Sequence, residues 1–460
     1  MTKQEAAITY IRENYLDFNR LRHDVVSDKL QIRLLGDEAN RLLGERQEYW
    51  RELTKHDINS IVCHCAQEYD ANITSREVMT ALQSDLIPDV HPLREYVLSC
   101  SPWTPDQPDW IDIVARQVHV KNNDTENKIQ QPKQLDLTTY SARNNTAIGT
   151  EEYTYQQLET SNKNNSLPLG CVVPQRNVVE NNVVDVVLNN NPADTLWRAC
   201  FKKWFVAMVA SWMGDEVVNH QVLVLIGKQG IYKTTWLERL IPPHLRAYAC
   251  KLANSNDLNK DERLRIAEFG LISLDEIDSM NNRELNQLKS VITATDVNER
   301  AAYAYTKERR VRLASFCASG NRRDFLTDIT GNRRWLPFEV ESIQNPFFTT
   351  LPYERMYAEA WALANDPTFC YWFELDEIEV LEEHNQHFRD ESNEEQLLPI
   401  LFDTPAEGKG EFMTTAQISE RLVTYGNIKK PMAIGRLGVL LGQKGYRSVQ
   451  RQLGGHRARG

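Results

Sequence analysis

The sequence predicts an α/β fold, and three observations carry the expectation. The stretch Gln221-Val-Leu-Val-Leu-Ile-Gly-Lys-Gln-Gly-Ile-Tyr-Lys-Thr-Thr-Trp236 reads as a buried strand, a glycine loop and a helix opening at Lys233-Thr234. A second apolar strand, Leu271-Ile-Ser-Leu, ends in the adjacent carboxylates Asp275 and Glu276. From the first strand to about Glu341, short apolar runs alternate with helical segments, as layered α/β cores require.

At 460 residues, two to four domains are expected. The chain is 41% hydrophobic and 25% charged, a soluble globular composition. No apolar run is long enough to span a bilayer, and the N-terminal Met-Thr-Lys-Gln-Glu lacks the apolar core of a signal peptide. A cytoplasmic location without a membrane partner follows as the expectation. The eight cysteines are scattered, and Cys63-His64-Cys65 has no second ligand pair nearby, so no zinc site is expected. The net charge of −11 is unevenly placed: Glu374 to Glu395 is densely acidic, whereas no acid follows Glu420 and nine Lys and Arg do. That asymmetry reads as a local nucleic-acid surface or as a solvated basic tail.

Residues 1–120 read as a mixed α/β domain. Leu30, Ile32 and Leu34 alternate as in a strand, and Arg76 to Leu86 reads as a helix ended by Pro88. Residues 121–192 are Asn-rich, a linker or insertion, although Val183, Val184, Val186 and Val187 have strand propensity. The core domain spans 193–345. Asp194 is placed to cap a helix from Leu196 to about Met213, with Trp197, Phe201, Phe205 and Met208 on its apolar stripe. Residues 346–394 form an acidic extension, helical and exposed around Phe373 to Phe388. Residues 395–460 contain two helices, the first capped by Thr414 or Thr415, then a basic strand over Gly445–Val449. This order reads as a winged-helix-like basic unit, which binds DNA or another protein.

The first motif has the layout of a phosphate-binding loop. Loop amides and Lys233 hold the phosphates, Gly227 and Gly230 give the loop its freedom, and the Thr234 hydroxyl, with Thr235 beside it, completes the site. Tyr232 stands where the pattern expects glycine, although Gly230 can supply conformational freedom. Asp275 is placed to support Mg²⁺ with Thr234, and Glu276 to orient or deprotonate water. A third strand, Val311 to Asn321, ends in an amide suited to the γ-phosphate or the attacking water. In Thr330-Gly-Asn-Arg-Arg-Trp, Arg333 or Arg334 suits charge stabilisation, with Arg300 a third candidate. Ala301 to Arg310 reads as a hairpin with Lys307 near its tip, beside Arg309 and Arg310. Its Tyr303 and Tyr305 stack on bases or pack in the core.

These blocks, with His91-Pro-Leu-Arg-Glu-Tyr, Lys289-Ser-Val-Ile and Gly320-Asn-Arg-Arg-Asp-Phe-Leu, resemble the virulence-associated protein E family over about 85–340. Members are P-loop ATPases of phages, satellite phages and genomic islands, similar to superfamily-3 and primase-associated helicases. The resemblance implies a P-loop NTPase core, helicase-like and AAA+/superfamily-3-like, with Walker A at Gly227–Thr234 and Walker B at Asp275-Glu276. It also implies a sensor at Asn321, an arginine finger near Arg333, a DNA-gripping hairpin at Lys307 and a ring oligomer. ATP and Mg²⁺ are the implied cofactors, and a primase is expected as a possible separate partner.

The leading expectation is an ATP-hydrolysing, DNA-acting motor of a mobile element, with Lys307, Arg309, Arg436, Lys444 and Arg447 as DNA contacts. The alternatives are a nucleotide-switched DNA-binding regulator with little turnover, which Tyr232 favours, and a structural protein with a vestigial loop.

Overall fold

The computed structural model describes residues 2–34, 49–69, 72–122, 192–252, 260–299, 308–326, 332–403, 410–453 and 456–459. The Asn-rich segment, the valines at 183–187, Arg300, Tyr303, Tyr305, Lys307 and the Thr330-Gly331 turn lie outside the described residues.

An unbroken apolar strand needs cover on both faces. Val222–Ile226 (β6) is such a strand, buried at every residue. It runs parallel between Ser315–Gly320 (β11) and Trp335–Ile343 (β12). Beyond β11 lie Leu271–Leu274 (β8) and Ala249–Leu252 (β7), both parallel, and Val118–Val120 (β5) closes the other edge antiparallel to β12. The six-stranded order is β5-β12-β6-β11-β8-β7.

Alternation along these strands sorts the core into two layers. Leu223, Leu225, Cys317, Leu336 and Phe338 face one cluster, shared with the helices Pro192–Met213 (α6) and Tyr353–Ala364 (α10). Val222, Val224, Ile226, Phe316 and Ala318 face the other, shared with Lys260–Glu268 (α8) and Asn282–Thr293 (α9). The expected aromatic stripe of α6 is buried, and Trp204 and Trp212 extend it. Their indole N–H groups donate to Phe316 O at 3.1 Å and Gly270 O at 3.1 Å, so the large rings are buried without orphaned donors. The helix starts at Pro192, which places Asp194 in its first turn rather than at its cap.

The N-terminal unit has its own four-stranded sheet, ordered β3-β2-β1-β4, from Leu21–Asp24 (β1), Lys29–Leu34 (β2), Tyr49–Glu52 (β3) and Asp89–Val90 (β4). Lys3–Ile11 (α1), Lys55–Tyr69 (α2) and Ser75–Leu82 (α3) supply the rest of its core. The helix expected to reach Leu86 ends at Leu82, because the Ser84 hydroxyl donates to Ala81 O at 2.7 Å and tightens the chain into a turn. Pro92–Ser99 (α4), Trp110–Ala115 (α5) and β5 pack with the central sheet instead. By packing, the expected 1–120 unit therefore divides near residue 90.

The strand expected from Val311 to Asn321 is broken. Val311 closes β10 (Glu308–Val311), which pairs with Asp296–Glu299 (β9), and β11 starts at Ser315. Between them the buried Arg312 turns inward and donates to Ala314 O at 3.0 Å, Asn219 O at 2.9 Å and Ala294 O at 3.3 Å. Burial pushes this guanidinium down to about 9. The hairpin thus begins earlier than expected, at Asp296.

The acidic helix Leu375–Gln386 (α11) is exposed on one side only: Glu377, Leu381 and Asn385 are buried, at helical spacing. Glu377 accepts from Lys203 at 2.5 Å, and Asn385 donates to Asn332 O at 2.9 Å and Trp335 O at 3.1 Å. The last unit joins Asn393–Leu401 (α12), Thr415–Gly426 (α13) and Ile434–Gln443 (α14) around Leu398, Leu422, Leu437 and Leu440. Thr414 is the cap of α13, exchanging bonds with Gln417. The basic strand expected at 445–449 lies further on, as Gln450–Leu453 (β13) paired antiparallel with His456–Arg459 (β14).

Candidate functional site

In parallel sheets ligands gather where strands end, at their carboxyl tips. The register puts three such tips in a row: Ile226 beside Gly320, and Leu274 beside Ala318. The residues that follow β6, β8 and β11 are therefore neighbours, although about 90 residues separate the first from the last.

After β6 the chain enters the Gly227–Thr234 loop. A Cβ on Gly227 would meet Val340 O at 2.6 Å, so only glycine fits there. Gly230 takes φ +85° with open space around it. Tyr232 itself takes φ +68°, ψ +18°, left-handed backbone that costs a side-chain-bearing residue about 1–2 kcal/mol. The freedom at Gly230 thus does not spare Tyr232, as the sequence had suggested it would. Lys233–Glu238 (α7) begins next, with Trp236 and Leu237 in the core.

Lys233 is buried, and its ammonium donates to Gly227 O at 2.8 Å, Lys228 O at 2.7 Å and Asn321 Oδ1 at 3.4 Å. Burial lowers its pKa, opposed by the charges of Asp278 and Asp275. Thr234 Oγ1 lies 3.3 Å from Asp275 Oδ1 and 2.9 Å from Ser319 Oγ, and Ser319 donates to Asp275 Oδ1 at 2.8 Å. Lys251, on β7, holds the other oxygen of Asp275 at 2.8 Å. Burial pushes the Asp275 carboxyl up, but Lys251, Ser319 and Thr234 outweigh it and hold it below its ordinary value. Hydroxyl and carboxylate oxygens are the donor set Mg²⁺ takes, and Asp275 keeps its Oδ1 on the side of Thr234 while Lys251 takes the other oxygen. These residues fit the ion.

Glu276 is exposed and, like Tyr232, left-handed, at φ +52°. Backbone strain of this kind clusters at functional loops. Asp278, four residues beyond β8, accepts Asn321 N and Arg322 N at 3.1 Å each, tying the β8 tip to the β11 tip. Thr235 lines a cavity beside α7.

Gly227, Gly230, Lys233, Thr234, Thr235, Asp275, Glu276 and Asn321 are thus brought to one edge, whereas Arg333 and Arg334 are not. They precede Trp335, which pairs with Val222 at the amino end of β6. The length of β6, at about 3.3 Å per residue, puts roughly 15 Å between them and the loop. Their charges act on His220 instead, which burial and Arg312 also push down.

Among the expected nucleic-acid contacts, Arg309 pairs with Asp296, and Lys444 with the buried Glu395 at 3.2 Å. Arg436 and Arg447 are exposed in the last unit. Among the described residues, no group of three or more His, Cys, Asp and Glu is arranged to hold a metal, and no helix is long and apolar enough to cross a membrane.

Sequence reasoning missed Ser319, Lys251 and Asp278. Only Asp278 left a local signal, as a third acid just past the Asp275-Glu276 pair.

No curated protein matches the chain significantly. Similar solved structures include the apo structure of the NrS-1 C-terminal region, at 12% identity and a TM-score of 0.41 over 98% of each chain. An A-form apo structure of the same region follows at 12% identity and a TM-score of 0.38 over 96% of each chain. The model of the virulence-associated protein E-like domain matches residues 173–390. The match starts after the His91 block and runs through α11, further toward the C-terminus than the motifs alone reach. Residues 173–390 are therefore similar to the virulence-associated protein E-like domain.

Proposed function

We propose that the chain binds and hydrolyses ATP as a DNA-acting, helicase-like motor in the replication of a phage or other mobile element. The observation that carries this reading is the convergence of Lys233, Thr234, Asp275, Ser319 and Asn321 at three adjacent strand tips. We read Gly227–Thr234 as a P-loop within an AAA+/superfamily-3-like core. Lys233 exchanges its two loop carbonyls for the β- and γ-phosphates. Thr234 and Asp275 hold Mg²⁺, which when bound neutralises phosphate charge. Ser319 orients both oxygen donors. Glu276, exposed at its tip, orients or deprotonates the attacking water, and Asn321 contacts the γ-phosphate. Arg333 or Arg334 acts on the nucleotide of a neighbouring copy in a ring.

The α12–α14 bundle with its β13–β14 hairpin is read as a winged-helix-like DNA-binding unit, with Arg436, Lys444 and Arg447 at phosphates, Arg309 of β10 as a further contact and Lys307 as a candidate from the sequence. A primase is a candidate separate partner.

The test is ATP hydrolysis with and without forked DNA. Wild type should be stimulated by DNA, and Lys233→Ala should lose hydrolysis altogether. Equal turnover in that variant would sink the assignment. A second reading, a nucleotide-switched DNA-binding regulator with little turnover, draws on the left-handed Tyr232. Tight ATP binding without phosphate release would favour it.

A further inference from the structure

Tyr232 breaks the glycine pattern and holds costly backbone, yet its ring is not buried to compensate. It lies edge-on to Phe347, with ring centroids 6.2 Å apart. Phe347 is 76% exposed and Phe348 88%, on the turn that follows β12. The turn is braced. Asn345 Oδ1 accepts Phe347 N at 3.0 Å, Asn345 O accepts Phe348 N at 3.1 Å, and Arg239, from the end of α7, donates to Thr349 O at 2.8 Å. The braced turn thus holds the Phe347 ring at the surface beside Tyr232.

Phe347 also lines a cavity of about 640 Å³ that reaches Thr235, Glu238, Lys251 and Ser273. Ser273 is 3% exposed, and its hydroxyl lies against the buried Cys317 thiol. The cavity therefore opens at Thr235, the residue after the phosphate loop, with the Phe347 ring at its rim and Ser273 in its wall. Its volume suits a base and sugar.

We infer that Tyr232 and Phe347 form a seat for the nucleobase of the bound nucleotide, with the base stacked on the Phe347 ring and directed toward the cavity. This rests on the proposed phosphate site. Stacking reads the π-face that every base presents, so the class recognised is a nucleobase in general. Tyr232 braces Phe347 from the loop, which links occupancy of the phosphates to the position of the base. The left-handed tyrosine then has a role that glycine would not fill.

Calorimetry on the full chain with ATP and with inorganic tripolyphosphate tests the seat. Wild type should bind ATP at least about tenfold tighter than tripolyphosphate, since only ATP carries a base. Phe347→Ala should weaken ATP by roughly fivefold to 150-fold and leave tripolyphosphate unchanged. Phe347→Trp should restore ATP affinity. Loss shared equally by both ligands, or no loss for ATP, overturns the proposal. Wild type binding both ligands equally overturns the seat alone, and wild type binding neither overturns the phosphate site beneath it.

Discussion

At the carboxyl end of β6, β8 and β11 the sheet pairs Lys233 with Asn321 and, beside them, Asp275 with Ser319. At the amino end, β12 begins behind Arg333 and Arg334, and β6 begins behind His220. The first edge carries the groups proposed above to hold phosphates. The second carries paired guanidinium groups that its own strands hold away from that site. On the proposed reading these are two half-sites at opposite edges of the sheet. Head-to-tail copies in a closed ring would bring one half-site to the other.

The largest expected effect tests that geometry. Arg333→Ala or Arg334→Ala should cut hydrolysis by about 10³–10⁵-fold if that arginine is the finger, with ATP binding unchanged. Mixing Lys233→Ala protein with the arginine variant should restore part of the activity, because each supplies the half the other lacks. An arginine acting on its own chain's nucleotide would give no recovery on mixing. That outcome would break the comparison between the two edges.

A smaller effect is expected within the first edge. Asp278 uses both carboxylate oxygens to hold the amides of Asn321 and Arg322. Asp278→Asn keeps one acceptor and turns the other into a donor facing an N–H. Turnover should fall about tenfold while ATP affinity stays near wild type, and the melting free energy should drop by about 1 kcal/mol. Loss of ATP affinity in step with turnover would mean that Asp278 serves the loop rather than the Asn321 position.

Much of the first edge is legible in sequence because its signals are local. Asp275-Glu276 sit directly after their apolar run, Lys233-Thr234 follow theirs across the glycine loop 227–232, and the α6 aromatics repeat at helical spacing. The rest depends on pairing between distant segments. Ser319 is an ordinary serine in the run Ser-Phe-Cys-Ala-Ser-Gly until β11 lies beside β8 and puts its hydroxyl at Asp275. Lys251 matters only because β7 pairs with β8. The same limit hid β5, which joins β12 from more than 200 residues away, and Arg312, whose partners are carbonyls that no side-chain pattern announces. Arg333 and Arg334 were legible as arginines after a turn, but their edge of the sheet was not.

The smallest effect on turnover concerns neither edge. Behind the sheet, Glu359 of α10 is fully buried and accepts Trp110 N at 2.6 Å and Ile111 N at 3.2 Å, while Lys202 Nζ lies 3.2 Å away and donates to Asp109 at 2.5 Å. Burial, opposed by Lys202 and reinforced by Asp109, pushes the Glu359 carboxyl up to about 8. An acid raised in the fold above its unfolded value of about 4.3 stabilises fully below that value. Its contribution declines as pH rises and is gone above about 8, at no more than about 1.4 kcal/mol per pH unit. Glu359→Gln removes the titration and keeps an acceptor for the α5 amides. Its melting temperature between pH 5 and 8 should therefore decline less than that of wild type, while ATP affinity stays unchanged, because the cluster lies among α5, α6 and α10 and touches neither half-site. Parallel pH profiles for the two proteins would show that Glu359 stays charged throughout, held by Lys202 and the two amides.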